Sequence, residues 1–295
     1  MRVTEMMSYR FLRTEINDIN NRMQDLQKSA STGKRVREAS DDPGAVRPIL
    51  NFRSQINAND RFEKNISRAE THLANVDEVL SKIGDSLDKV KELGLHYLSG
   101  SVNEENQETL ADQVGLITEE IQGLANTQIG NDFVFSGFKV QTQPFQKDGS
   151  GNIIYEGDGQ EKELEIAPGE RLAVTVSGER VFQDGGPNLF TTLKDLKDEM
   201  EAFDLDEVRN KLSSLEDVRS RVSNVRGQVG VTMNRLQSSQ EIREQATVDL
   251  KELQSTYEDA DIVEASTKLI QQETSLKAAL SVTSRISRIS ILDYM

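Results

Sequence analysis

The sequence predicts a mainly α protein: an elongated antiparallel helical bundle, or coiled-coil rod, with a small β-rich inserted domain. Three observations lead there. Apolar residues recur at alternating spacings of three and four along most of the chain. That period stops near residue 130 and resumes near 189, and the stretch between is rich in Phe, Gly and turn residues. Hydrophobic residues make up only 36% of the 295 residues and aromatics 5%. Such a share suits narrow buried stripes better than one large isotropic core.

The first stripe is Leu12, Ile16, Ile19, Met23, Leu26 and Ala30, spaced 4, 3, 4, 3, 4. A loop from Ser31 to Gly44 follows. Gly33 can cap the preceding helix, and Ser40 or Asp41 before Pro43 resembles an N-cap with proline in the next helix's first turn. The clearest heptad comes next: Ile66, Ala69, Leu73, Val76, Leu80, Ile83, Leu87 and Val90, continued by Tyr97. A helix over 66–97 would be about 48 Å long. Ser99 to Glu104 reads as a helix-turn-helix connection with Asn103 as N-cap, leading into Leu110, Val114, Ile117, Ile121 and Leu124.

Between the helical stretches, Phe133, Phe135, Phe138 and Phe145 cluster with Gly137 and Pro144. Lys147 to Asn152 is a turn and Ile153–Tyr155 a short strand. Lys162–Ile166 and Leu172–Val176 read as a hairpin around Ala167-Pro168-Gly169-Glu170, with Val181-Phe182 closing the β set. The insertion is expected to project sideways from the helices. A third helical stripe runs Val208, Leu212, Leu215, Val218, Val222, Val225, Val229, Met233 and Leu236, and extends through Ala246, Leu250, Leu253 and Tyr257. The C-terminal stripe places Ile262, Leu269 and Leu276 seven apart, continued by Leu280, Ile286, Ile289 and Leu292. Each end is apolar along one narrow face. Such helices gain stability by packing, so the two ends want each other or a partner.

Composition excludes several kinds of chemistry. With no Cys, disulfide frameworks and Cys-based zinc sites are impossible, and two His cannot build a three-His metal site. Net charge is −15, with +2 on residues 1–60, +2 on 275–295 and −19 between. Such a body is a poor non-specific binder of nucleic acid or anionic membrane. No apolar run approaches the roughly 20 residues of a membrane span, and no secretory h-region follows Met1. His72 and His96 flank the stripes as surface imidazoles, and no G-x-S-x-G accompanies them. Asp148-Gly149-Ser150-Gly151-Asn152 begins like a calcium loop, but Ile153 stands where Gly is needed and Gly159 where Glu is needed. Gly33-Lys34 lacks the spacing of a phosphate loop. The sequence reads as a structural protein, not an enzyme, with no cofactor and no metal.

The motifs also carry a resemblance. Ser31-Thr32-Gly33-Lys34-Arg35 with Ser40-Asp41-Asp42-Pro43 resembles the N-terminal signature of the bacterial flagellin superfamily. Several segments resemble the hook-associated branch of that superfamily. These are Arg2-Val3-Thr4 with Met6-Met7, Phe133-Val134-Phe135-Ser136-Gly137-Phe138, Thr142-Gln143-Pro144-Phe145, Tyr155-Glu156-Gly157-Asp158 and the ending Ser290 to Met295. Lys28-Ser29-Ala30 departs from it, since a Leu-Ser pair is more usual there.

The resemblance implies a structural adaptor at the hook–filament junction of an extracellular flagellum, exported by the type III route without a cleaved signal peptide. It implies a junction protein as partner on the hook side, flagellin on the filament side and copies of itself in a ring. It allows an export chaperone at the C-terminal helix, of which the residues themselves carry no sign. The expected organisation is an assembly segment at 1–40, helical halves at 41–132 and 189–260, the insertion at 133–188 facing outward, and a C-terminal assembly helix at 261–295. Assembly contacts are expected from Leu12, Ile16, Ile19, Met23, Leu26, Ile262, Leu269, Leu276, Ile286, Ile289 and Leu292. The alternatives are a filament flagellin and a cytosolic coiled-coil scaffold.

Overall fold

A computed structural model describes the backbone of residues 2–99 and 104–292. It describes their side chains apart from 2–6, 8, 9, 104, 105 and 285–292. The elements are helices α1 (Arg2–Thr32), α2 (Pro43–Leu98) and α3 (Glu104–Ala125), then six short strands, then helices α4 (Gly178–Phe182), α5 (Leu189–Glu201), α6 (Leu205–Glu258) and α7 (Ile262–Leu292). The strands are β1 (Gln128–Ile129), β2 (Asp132–Phe133), β3 (Phe145–Lys147), β4 (Ile153–Tyr155), β5 (Glu163–Ala167) and β6 (Glu170–Ala173). The chain divides into two compact units, Asn59–Gln245 and Met1–Ala58 with Ala246–Met295.

In the Asn59–Gln245 unit the heptad does what its spacing demands. Ile66, Ala69, Leu73, Val76, Leu80, Ile83, Leu87, Val90 and Tyr97 are all buried, as are Val208, Leu215, Val218, Val222, Val225, Val229 and Leu236. Each of the larger aliphatic side chains among them contributes about 1.5–3 kcal/mol on leaving water. Ion pairs fix the direction: Asp77 with Arg226, Asp88 with Arg219 and Lys91 with Glu216 rise on α2 as they fall on α6, so the two run antiparallel. These pairs are partly exposed and set register more than stability. Tyr97 donates its hydroxyl proton to the Met200 carbonyl at 2.8 Å, so α5 closes the end of the same core.

The insertion differs from the expectation in three respects. Its strands form three separate antiparallel pairs, β1–β2, β3–β4 and β5–β6. Val181-Phe182 is helical, the end of α4, because Ser177 accepts from the Arg180 amide and both apolar side chains turn inward. And its apolar residues join the helical core: Phe145 packs on Tyr155, Phe182 and Phe190, with Phe182 in turn on Phe135. Phe138 stays 49% exposed, outside that cluster. Hydrogen bonds hold the β5–β6 hairpin along the helices, from Asn65 to the Glu165 carbonyl and from Arg235 to Glu170. The Arg221 guanidinium donates to the carbonyls of Val181, Phe182 and Pro187 and so fastens α4 to α6.

Helix boundaries add two corrections. The N-cap of α2 is Asp42, not Ser40 or Asp41: Asp42 Oδ1 accepts from the amides of Gly44 and Ala45, at 3.1 and 3.2 Å. Asp41 instead accepts from the amides of Arg37 and Glu38 and ties the loop to itself. The 189–260 stretch is two helices, broken at Ala202–Asp204. There Phe203 takes φ 61°, Asp204 donates its amide to Glu199, and Asp204 Oδ1 caps α6. The expected connection at Ser99 to Glu104, with its Asn103 cap, lies outside the described residues. Past Gln245 the α6 stripe fades, with Leu253 and Tyr257 exposed and Thr247 buried instead.

Candidate assembly interface

In the unit formed by the two chain ends, α1 packs against α7. Both helices meet at one joint. The Gly33 carbonyl accepts from the Ala260 amide at 2.8 Å, and Lys34 bridges Asp259 in antiparallel fashion. From this joint one helix arrives and the other departs, so the pair is antiparallel. On α1, Ile19 is buried and Leu12, Ile16, Met23 and Leu26 are half-buried, all on one stripe. On α7, Leu269 and Leu276 are half-buried and Ile262 is 56% exposed at the helix start. The side chains of Ile286, Ile289 and Leu292 lie outside the described residues.

The covered face of α7 also contains Ala265, Gln272, Ala279 and Thr283, at spacings of four and three around the two leucines. These residues are small or polar, and a search for apolar periodicity passes over them. The pair leaves Phe11, Val263, Ile270 and Leu280 exposed.

The joint is built around Glu258, the last residue of α6, which is 2% exposed. Its carboxylate accepts from Lys34, from Arg53 at 2.6 Å and from Gln254 at 2.5 Å. Its carbonyl accepts from the amides of Arg35 and Val36 at 2.8 and 3.1 Å. The Arg35 guanidinium reaches the Tyr257 carbonyl and Asp42. Burial alone would raise the carboxyl pKa, but hydrogen bonds from Lys34, Gln254 and Arg53 outweigh it and hold the group at about 2. Gly33, at φ 70°, takes the left-handed turn that ends α1. Val36, Ala45 and Ile49 form a small apolar cluster beneath the loop.

In the other unit, a cavity of about 620 Å³ lies among α2, the β1–β2 loop and the β5–β6 hairpin. His72 lines it and is no surface imidazole: its Nε2 is buried without a hydrogen-bond partner. Burial, with Lys162 adding and Asp132 opposing, lowers its pKa. Among the described residues no group of His, Asp and Glu is placed to hold a metal ion, and no helix is long and apolar enough to cross a membrane.

Models of the bacterial flagellin N-terminal and C-terminal helical regions match residues 3–139 and 212–295, together well over half of the chain. The chain belongs to the bacterial flagellin family. The matched ranges contain α1 and α7 and the joint between them. Among its relatives, the flagellar hook-associated protein 3 of Escherichia coli is 22% identical over 285 residues, covering 88% of this chain and 89% of the relative. The protein of that name from Salmonella typhimurium is 21% identical over 303 residues, covering 95% of each. The crystal structure of flagellar hook-associated protein-3 from Legionella pneumophila shares the fold, with a TM-score of 0.64 at 16% identity over 70% of this chain and 97% of that one.

Proposed function

We propose that the chain is a structural subunit of the bacterial flagellum, an adaptor at the hook–filament junction that assembles through its terminal helices. The observation that carries the reading is the α1–α7 pair, which covers one stripe of each helix and leaves a second set of apolar side chains exposed. Relatives named hook-associated protein 3 match along about nine-tenths or more of their length, which favours the junction over the filament. The partners are then a junction protein on the hook side, flagellin on the filament side and copies of this chain in a ring. Residues 1–40 and 261–295 are the assembly segments, and the insertion at 133–188 faces outward. The protein is exported without a cleaved signal and works outside the cell, and an export chaperone holds the C-terminal helix beforehand.

Gold-labelled antibody on whole cells tests the reading. Label confined to the hook–filament boundary supports it. Label along the whole filament makes the chain a filament flagellin, and label only inside the cell removes it from the flagellum. Ile19→Asp is expected to abolish assembly while the Asn59–Gln245 unit stays folded, because an unpaired carboxylate in the α1–α7 seam costs several kcal/mol. Ile286→Asp is expected to do the same from α7. Normal motility in both variants would overturn the assignment of these helices.

A further inference from the structure

Glu258 is an odd residue for its place. An anion at the C-terminal end of a helix opposes the helix dipole, and a buried carboxylate is costly unless it is well partnered. Here it closes a 54-residue helix at 2% exposure. What offsets both costs comes from elsewhere in the chain. Lys34 and Arg53 bring two positive charges to the carboxylate, and the amides of Arg35 and Val36 cap the α6 carbonyl that a terminal glycine motif would otherwise satisfy.

We infer that Glu258 is the positioning residue of the assembly arms: it latches the end of α1 to the start of α7 and so sets their register. The inference rests on the reading of those helices as the assembly segments. Register needs such a device because the facing surface of α7 specifies it weakly. Ala265, Gln272, Ala279 and Thr283 alternate with Leu269 and Leu276, so few large side chains penalise a slip. A slip of one residue turns a helix by about 100° and would carry Ile19 out of its buried position. The latch removes that freedom at the one level where both arms begin. The Lys34–Asp259 bridge and the Gly33–Ala260 hydrogen bond extend it by two further steps towards the helices.

The test is hydrogen exchange on the full-length monomer, read at the amides of Arg35, Val36 and Ala260. Glu258→Gln is expected to speed their exchange at least tenfold, with the α1 and α7 amides following, while amides over Ile66–Val90 keep their rates. Lys34→Gln, which removes one donor, should fall between that variant and the parent. Lys34→Gln/Arg53→Gln/Glu258→Gln should exchange no faster than Glu258→Gln alone, because all three act through one contact. Unchanged protection in Glu258→Gln overturns the latch. Equal loss throughout both units also overturns it, since Glu258 would then be a general fold residue. Incorporation at the junction separates the two ideas. Lost protection with lost incorporation supports both, whereas lost protection with normal incorporation overturns the latch's role in assembly and leaves the reading of the chain as a junction subunit standing; a parent chain that never reaches the junction overturns that reading.

Discussion

Gly137→Ala should be among the most damaging single-methyl changes in the chain. Gly137 sits at φ +69°, and a Cβ there would lie 2.1 Å from the Asp158 carbonyl oxygen and 3.0 Å from that of Gln160. Both obstacles are backbone, so no rotamer change relieves them. The left-handed conformation costs a non-glycine residue about 1 kcal/mol, and the overlap costs about 1–3 kcal/mol more. Moving Asp158 also strains the bond from its amide to Ser136 and the bond from the Tyr155 hydroxyl to its carbonyl, at about 1 kcal/mol each. Tyr155 packs at a tilt against Phe145, so the displacement reaches the aromatic core. The total is about 4–6 kcal/mol, a large part of a domain's usual 5–15 kcal/mol, and should lower the melting temperature by about 10–20 °C. Gly130→Ala is the control: φ is +65°, yet a Cβ meets nothing within 4 Å, so only the conformational cost of about 1 kcal/mol remains. Urea unfolding followed by tyrosine fluorescence suits a chain without tryptophan. Equal losses in the two variants would refute the reasoning, because the close approach at Asp158 would then carry no energy.

Three further predictions follow from charge placement. The Glu258 carboxyl is held at about 2 in the folded chain against an ordinary 4.5, so its stabilisation is complete above about pH 4.5 and is lost as pH falls through about 2. It amounts to about 3 kcal/mol, and the difference in Arg35 and Val36 protection factors between the parent and Glu258→Gln should shrink accordingly on acidification. For His72, burial lowers the pKa below 6.5. The unfolded imidazole then takes up its proton first, and stability present above about pH 6.5 is lost as pH falls towards the folded value. His72→Leu should narrow the gap between urea midpoints at about pH 7.5 and about pH 5, and an unchanged gap would count against it. Arg221→Met leaves the carbonyls of Val181, Phe182 and Pro187 without their donor. About 3 kcal/mol should be lost in thermal unfolding, and Arg221→Lys should recover little because an ammonium cannot reproduce the fork.

What could be seen in the sequence was whatever repeats. The heptad from Ile66 to Tyr97 announces itself because every third or fourth residue faces one partner over nine turns, and each turn adds the same information. The hairpins are legible because Asp148 to Asn152 and Pro168-Gly169 are turn chemistry with a local cause. Contacts that occur once have no such redundancy. Lys34, Arg53 and Glu258 are more than 200 residues apart at their widest, in a chain where acidic residues are common enough that no one pair stands out. Phe182 looks like strand beside Val181, and only Ser177 upstream and the shared aromatic core make it helix. Phe203 stands where a glycine would have signalled the end of α5, so the break before α6 stayed hidden. His72 flanks a stripe that is buried by another helix, but the β1–β2 and β5–β6 segments also cover it, and their placement is tertiary. Asp41 and Asp42 are chemically equal candidates for the cap, and only the path of the loop chooses between them.

The two units differ in what holds them, and that difference bears on how a subunit assembles. The Asn59–Gln245 unit buries continuous apolar stripes on α2, α3, α5 and α6 and joins them to an aromatic cluster. Among the described residues of the other unit, the buried apolar side chains are Ile19, Val36, Ala45, Ile49 and Ala265, with Thr247 and Glu258 buried beside them. A seam with so few large apolar contacts opens locally at low free energy, whatever the stability of the rest. Such opening is a cost for an isolated monomer and an advantage for a subunit whose arms must meet neighbours. A partner that binds only the paired arms adds its binding free energy to theirs, so order at the ends follows assembly by mass action. The latch at Glu258 fits this division. It holds the arms at one register with polar contacts, and it leaves the exposed apolar faces of α1 and α7 free for the contacts that complete them.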